Sequence, residues 1–189
     1  MADYRLTAAP ALGGYHRAFD GVTLREMPDL ALVALALPRG GEAAATGAIE
    51  AAFGTALPES GHTALSSDGT ERLLRLGPDQ AFVLMTRSTP DAEAFIAARL
   101  GGAAYVTDQS DAFVALEISG PRSRAALERI CPLDLHPKVF SVGDVARTVM
   151  EHLGVMVLRT GQDSFLLLSA RSSARSFLHA VEVSIANTG

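Results

Sequence analysis

Apolar residues follow two rhythms along this chain, and each rhythm predicts a kind of element. Leu30 to Leu37 is an unbroken apolar run followed by Pro-Arg-Gly-Gly, which predicts a buried strand leaving into a turn. Glu42 to Phe53 places Ala45, Ala48, Ile49, Ala52 and Phe53 at helical spacing and predicts a helix with one apolar stripe. Arg72 to Leu76 and Ala81 to Thr86 flank the turn-rich Gly-Pro-Asp-Gln and read as a hairpin. Thr89 then offers an N-cap oxygen, Pro90 suits a first helical position that needs no N–H, and Gly101-Gly102 supplies the stop. That helix is expected to pack through Phe95, Ile96 and Leu100.

The plan then recurs. Ala112 to Ser119, built around Phe113, Val114, Leu116 and Ile118, predicts a mainly buried strand. Gly120-Pro121 opens a helix with Leu127, Ile130 and Cys131 inward and Arg122, Arg124, Glu128 and Arg129 outward, ended by Pro132. Val155 to Leu158 and Phe165 to Ser169 flank Thr-Gly-Gln-Asp as a second hairpin, and Ser172 or Ser173 caps a last helix packed through Phe177, Leu178, Val181 and Ile185.

Gly77-x-Asp79 and Gly161-x-Asp163 lie 84 residues apart, and the same offset carries Arg87-Ser88 onto Arg171-Ser172 and Leu30 and Leu32 onto Val114 and Leu116. Duplication is preferred over two unrelated hairpin-plus-helix units. The expectation is an α+β protein in which residues 21–189 form one compact domain of two similar halves, about 21–102 and 103–189. Residues 1–20 mix Pro, Gly and isolated apolar positions without a sustained period, and are expected to be an irregular arm lying on a partner.

Charge and composition narrow the function. The 189 residues carry a net charge of −5, which argues against a protein that neutralises a nucleic-acid backbone. The basic cluster Arg122, Arg124 and Arg129 reads as a solvated helix face. Charged residues are 20% of the chain against a usual share of about 25%, so part of the surface is expected to be hidden by a partner. The one cysteine, Cys131, excludes an intrachain disulfide and a cysteine-based metal site, and its apolar setting favours packing over nucleophilic chemistry. His16, His62, His136, His152 and His179 show no i, i+4 pairing, so no zinc site is expected in this chain. No glycine-rich dinucleotide or triphosphate cradle occurs, so no cofactor is expected to be held here. The N-terminus lacks the pattern of a secretory signal, and the longest apolar run is far below the roughly 20 residues of a membrane helix. A soluble, cytoplasmic protein is expected.

Four words carry a family resemblance: Asp108 to Pro121 (D-Q-S-D-A-F-V-A-L-E-I-S-G-P), Cys131 to Pro137 (C-P-L-D-L-H-P), Phe140 to Thr148 (F-S-V-G-D-V-A-R-T) and Arg159 to Ser172 (R-T-G-Q-D-S-F-L-L-L-S-A-R-S). In order and spacing they resemble the gamma subunit of heterotetrameric sarcosine oxidase, a family similar to the folate-binding domain of glycine-cleavage aminomethyltransferases. The resemblance implies a folate-binding-domain-like fold of duplicated ferredoxin-like halves. It implies a complex that oxidises sarcosine to glycine with oxygen, giving hydrogen peroxide and either formaldehyde or methylene-tetrahydrofolate. It also implies alpha, beta and delta partner subunits, the large one foremost. FAD, FMN, NAD, zinc and tetrahydrofolate would belong to those partners, leaving this chain without catalytic residues.

Asp134 is the one position where a sharper role is to be weighed. In the aminomethyltransferases an Asp in the corresponding loop faces the reactive nitrogen of folate, and the resemblance implies a carboxylate able to steady a developing iminium or relay a proton. The plainer reading is an Asp accepting turn N–H groups between two prolines. Gly143 and Thr148 correspond to the enzyme pattern, whereas its pocket Asn and Asp pair have no counterparts, which favours the plainer reading. The alternative is a stand-alone folate-dependent one-carbon enzyme or folate-binding regulator using Asp134; a third reading is a self-associating module with no folate link.

Overall fold

Two antiparallel sheets lie face to face in the computed structural model, which describes residues 8–188, and two helices cover the outer face of each. In chain order the elements are β1 (His16–Phe19), β2 (Val22–Glu26), β3 (Ala31–Ala36), α1 (Glu42–Phe53), β4 (Thr63–Leu65), β5 (Glu71–Arg75), β6 (Gln80–Met85), α2 (Ala92–Leu100) and β7 (Tyr105–Asp108). There follow β8 (Phe113–Ser119), α3 (Ser123–Glu128), β9 (Val145–Met150), β10 (Leu153–Gly161), β11 (Ser164–Ala170) and α4 (Ala174–Ala186).

Side chains alternate across each strand, so every central strand feeds two cores. Val33, Leu35, Leu73, Val83 and Met85 face Ile49 and Phe53 of α1 and Ile96 and Leu100 of α2. Leu116, Ile118, Val157, Phe165 and Leu167 face Leu127, Phe177, Val181 and Ile185. Between the sheets, Leu32, Leu74, Phe82 and Leu84 meet Val145, Met156, Leu158, Leu166 and Leu168. Strands buried on both faces read as continuous apolar runs instead of alternation, which is why Ala81–Met85 and Phe165–Leu168 stand out in the sequence.

The sheets share one strand order. One runs β4-β5-β6-β3-β7 and the other β1-β2-β8-β11-β10-β9. Within them β7-β3-β6-β5 and β2-β8-β11-β10 are equivalent ferredoxin-like sets, all antiparallel. They differ in the source of one strand. In the first set β7 follows α2 along the chain; in the second the equivalent place is taken by β2 from the N-terminal side, paired through Leu24↔Ile118. A division at residues 102 and 103 therefore cuts β7 from its own sheet, and each half along the chain lends a strand to the other's sheet.

The structure corrects several expectations in detail. Leu32 does not correspond to Leu116: Leu32 lies in the inter-sheet core opposite Leu84, as Ala115 does opposite Leu168, while Leu116 faces the helices. The offset is 83 in β8 and 84 in β10 and β11, and a one-residue slip exchanges the two faces of a strand. The segment 1–20 is not irregular throughout. Asp20-Gly21 closes a two-residue hairpin between β1 and β2, with Gly21 at φ +69°, and Phe19 opposite Val22. Upstream, Glu26 accepts the Leu12 and Gly14 N–H groups, and the Tyr15 hydroxyl donates to Glu182. Burial, with the Glu182 carboxylate beside it, pushes the Tyr15 phenol up to about 12, so it stays a donor at neutral pH. Residues 1–7 of the expected arm lie outside the described residues.

Helix ends also differ. Thr89 does not cap α2; its hydroxyl donates to the Arg87 carbonyl, and Asp91, at φ +53°, occupies the cap position two residues later. Ser173 stands at the N-cap of α4 without a side-chain cap bond, because a 3-10 turn over Arg171–Ser173 leads into the helix. α3 ends at Glu128, well before Pro132, as Ile130 and Cys131 both donate to the Leu127 carbonyl and tighten the chain into a turn.

One duplicated device holds both hairpins. Arg159 is 2% exposed, and its guanidinium donates to the carbonyls of Gly161, Gln162, Leu135 and Phe140. Arg75, 84 residues earlier, donates to Gly77, Pro78 and Pro58. Each arginine ties its hairpin turn to the loop that follows the first helix of its half. Replacing it strands carbonyls that have no other donor nearby, at about 1–3 kcal/mol for each such group that stays dry. Arg159→Met is therefore expected to lower unfolding free energy by about 3 kcal/mol or more, and Arg75→Met, at a half-exposed site, by about 1 kcal/mol. Urea unfolding of both variants checks this; equal losses would contradict it.

Candidate functional site

The loop after α3 carries the sequence-predicted Asp134. It is built on two buried side chains, Leu135 and Phe140, whose carbonyls both receive the Arg159 guanidinium from below. Asp134 itself is exposed, and its Oδ1 accepts the His136 N–H at 2.9 Å, the geometry of an Asx turn. His136 Nδ1 accepts the Lys138 N–H at 3.3 Å. The turn thus engages one oxygen of the carboxylate that the sharper reading would aim at a ligand.

Gly143 is required for its backbone: at φ +95° it donates to the Arg159 carbonyl and accepts the Thr63 N–H and hydroxyl. It joins the two sheets at the corner where His62 and Asp144 form an isolated bridge, with His62 Nδ1 2.8 Å from Asp144 Oδ1. Thr148 lies half-buried on β9. Burial pushes the Cys131 thiol up, so it is held protonated. The structure does not bring Asp134, Gly143 and Thr148 together around a cavity.

The concave surface lies elsewhere. A hollow of about 320 Å³ opens between the sheets, and one of about 310 Å³ lies on the β8–β11 sheet beside it; they share Phe113 and Arg147, whose guanidinium carbon stands 5.6 Å from the Phe82 ring centroid. A third, of about 250 Å³, sits under the 8–10 segment; there the Glu26 carboxylate is occupied by backbone N–H groups and Arg171 donates to the Ala9 carbonyl. Two more, of about 450 and 480 Å³, flank Arg129, Ile130 and Glu151 beside α4. Asp134 lines none of these, so the residues around it do not fit a buried folate. Among the described residues no three His, Cys, Asp or Glu side chains are grouped to hold a metal ion, and no helix is long and apolar enough to cross a membrane.

Sequence reasoning missed Arg75 and Arg159, although both open the repeated words Arg75-x-Gly77-x-Asp79 and Arg159-x-Gly161-x-Asp163. It missed β9 as well, whose pattern of buried ends and mixed interior gives a weak strand signal.

A duplicated ferredoxin-like sandwich of this kind is the fold of folate-binding domains. The aminomethyltransferase T of the glycine cleavage system from Bartonella henselae shares it, with TM-score 0.62 at 16% identity over 89% of this chain and 53% of that one. Residues 39–186 match the sarcosine oxidase, gamma subunit family, and the chain belongs to that family. It is 34% identical over 160 residues to the sarcosine oxidase subunit gamma of Corynebacterium sp. strain P-1, covering 84% of this chain and 77% of the relative. It is 36% identical over 122 residues to that of an Arthrobacter species, covering 64% of this chain but only 60% of the relative's length. A chain of the heterotetrameric sarcosine oxidase from Corynebacterium sp. U-96, solved with pyrrole 2-carboxylate, superposes with TM-score 0.79 at 28% identity, over 92% of this chain and 88% of that one.

A protonated, covered Cys131 has a direct consequence. Maleimide or iodoacetamide labelling of the native protein near pH 8 is expected to be slow and to become rapid once denaturant exposes the thiol. Fast stoichiometric labelling of the folded chain would contradict the placement.

Proposed function

We propose that this chain is a non-catalytic subunit of a heterotetrameric sarcosine oxidase, contributing a folded wall to the assembly that oxidises sarcosine to glycine with release of hydrogen peroxide. The observation that carries the reading is the disposition of Asp134. The fold matches a chain of the heterotetrameric enzyme over 92% of the length, yet the one carboxylate at the folate-facing position of the related enzymes is exposed and bonded to its own turn. A general acid or base must reach the reacting atom in a site that shields it. Asp134 is exposed, lines none of the five hollows described above, and turns one of its oxygens to the His136 N–H.

In this reading FAD, FMN, NAD and zinc are held by the alpha, beta and delta subunits, and any tetrahydrofolate chemistry takes place there, in the cytoplasm. This chain binds those subunits, the large one foremost. Its own residues hold shape: Arg159 and Arg75 fix the hairpins, and the inter-sheet core sets the spacing of the two helix-covered faces. The alternative one-carbon enzyme acting through Asp134 draws no support from the turn geometry.

The experiment is reconstitution. Wild-type chain co-expressed with the alpha, beta and delta subunits is expected to co-purify with them in equal proportion. Asp134→Asn in that complex is expected to leave sarcosine-dependent peroxide formation and tetrahydrofolate-dependent product formation within about twofold, with a stability loss of about 1 kcal/mol from the weakened turn. A rate loss of about 100-fold, equivalent to about 2.7 kcal/mol of barrier, in an intact complex would contradict the reading.

A further inference from the structure

Strands β7 and β9 each end a sheet, with a neighbour on one side only, and the slot between them holds a cation without an anion. The hollows of about 320 and 310 Å³ meet there at Phe113 and Arg147, each about the size at which small-molecule sites begin, roughly 300 Å³. Arg147 is exposed at the mouth, with its guanidinium over the Phe82 ring. It makes no ion pair among the described residues, and their arginine hydrogen bonds all come from other arginines. Neither hollow is lined by an Asp or a Glu, in a chain whose net charge is −5.

Strand register shows how the space arises. Arg25 of β2 lies opposite Glu117 of β8, and the two side chains pair at 2.5 Å. The equivalent strands are β7 and β3, and the 83-residue offset of β8 places Ala34 where Glu117 stands and its partner Thr107 where Arg25 stands. One half therefore carries an ion pair at this corner, and the other carries two small neutral side chains that leave room beside Arg147. The walls are aromatic and amide in character. Phe82, Phe113 and Tyr105 supply rings, Tyr105 being 69% exposed, and Gln80 and Gln109 add uncharged donors and acceptors.

We propose that this slot binds a small planar carboxylate, its acid group on the Arg147 guanidinium and its ring against Phe113 and Tyr105. A guanidinium meets a carboxylate through paired N–H donors on its edge, and contact of its face with Phe82 leaves that edge free. A phosphate dianion is matched by several cations, a helix N-terminus or a nest of backbone N–H groups. Here one cation stands alone on sheet edges, which suits a monoanion. A cationic ligand finds no acid in the lining, and a neutral one leaves the arginine unmatched. Asp134 lines neither hollow, and the proposal does not depend on the subunit reading above.

The test is calorimetric titration of the full-length chain with 2-naphthoate, set against 2-naphthamide and 2-naphthylmethylamine at one ionic strength. Naphthoate is expected to bind one site per chain, and the amide and amine at least about tenfold more weakly, because only the acid meets the charge. Arg147→Met keeps an apolar stem at an exposed position, so its thermal melting is expected to be unchanged while naphthoate binding falls at least about tenfold. Arg175→Met, exposed on α4, is expected to bind as wild type does. Equal binding of acid and amide, undiminished binding by Arg147→Met, or equal weakening by Arg147→Met and Arg175→Met would overturn the proposal. So would a wild-type chain that binds no naphthoate. In that last case, loss of assembly with the alpha, beta and delta subunits in Arg147→Glu alone would assign the slot to a carboxylate side chain of a partner instead.

Discussion

The sheet-on-sheet contact is the constraint on which the rest of this molecule depends. Leu32, Leu74, Phe82 and Leu84 on one side and Val145, Met156, Leu158, Leu166 and Leu168 on the other are all nearly inaccessible. Burying side chains of this size stabilises by about 1.5–3 kcal/mol each, so neither sheet can expose that face to water. Given that contact, the helices must lie on the outer faces, and the edges must be managed separately. The corner at Gly143 and the His62–Asp144 bridge joins the sheets at one edge, and β1 extends the opposite sheet at another. The reciprocal placement of β2 and β7 makes the two halves interdependent as well as similar, since each along-chain half supplies a strand to the other's sheet.

How much of this was legible in the sequence depended on where the information lay. Both central hairpins were readable, because Gly-Pro-Asp-Gln and Thr-Gly-Gln-Asp punctuate apolar runs that no helix period explains. Helices α1 and α4 were readable from their stripes. The edge strands were not: β4 is three residues long, and β1 and β7 are largely exposed, so pairing with a neighbour, and not local preference, makes them strands. The Asp20-Gly21 turn was a signal in plain view, hidden by the polar, irregular look of its surroundings. The 84-residue repeat was visible, yet its slip to 83 in β8 could only emerge from pairing partners, since Val114, Ala115 and Leu116 are all apolar and any of them satisfies a pattern.

The site was legible in a different sense. Asp134 stood out by its place between prolines, and the same sequence feature supports a turn, which is what its hydrogen bond to His136 makes. The arginines at 75 and 159 lay inside the repeated words but drew no attention, because an arginine bonded wholly to carbonyls leaves no charged partner in the sequence to point to it. The correspondence of the helix pairs could not be read from either copy alone. Arg99 in one and Ser184 in the other acquire meaning only when the buried faces of α2 and α4 are aligned, and each then donates to a carbonyl of the neighbouring helix, Ala52 in α1 and Ala126 in α3.

Amide hydrogen exchange, measured on the chain alone and again within the assembled oxidase, tests this account most directly. The account predicts slower exchange over part of the chain's surface in the assembled oxidase, with the 134–138 turn keeping its own hydrogen bonds in both states. No change anywhere on the chain in a fully assembled complex would contradict it.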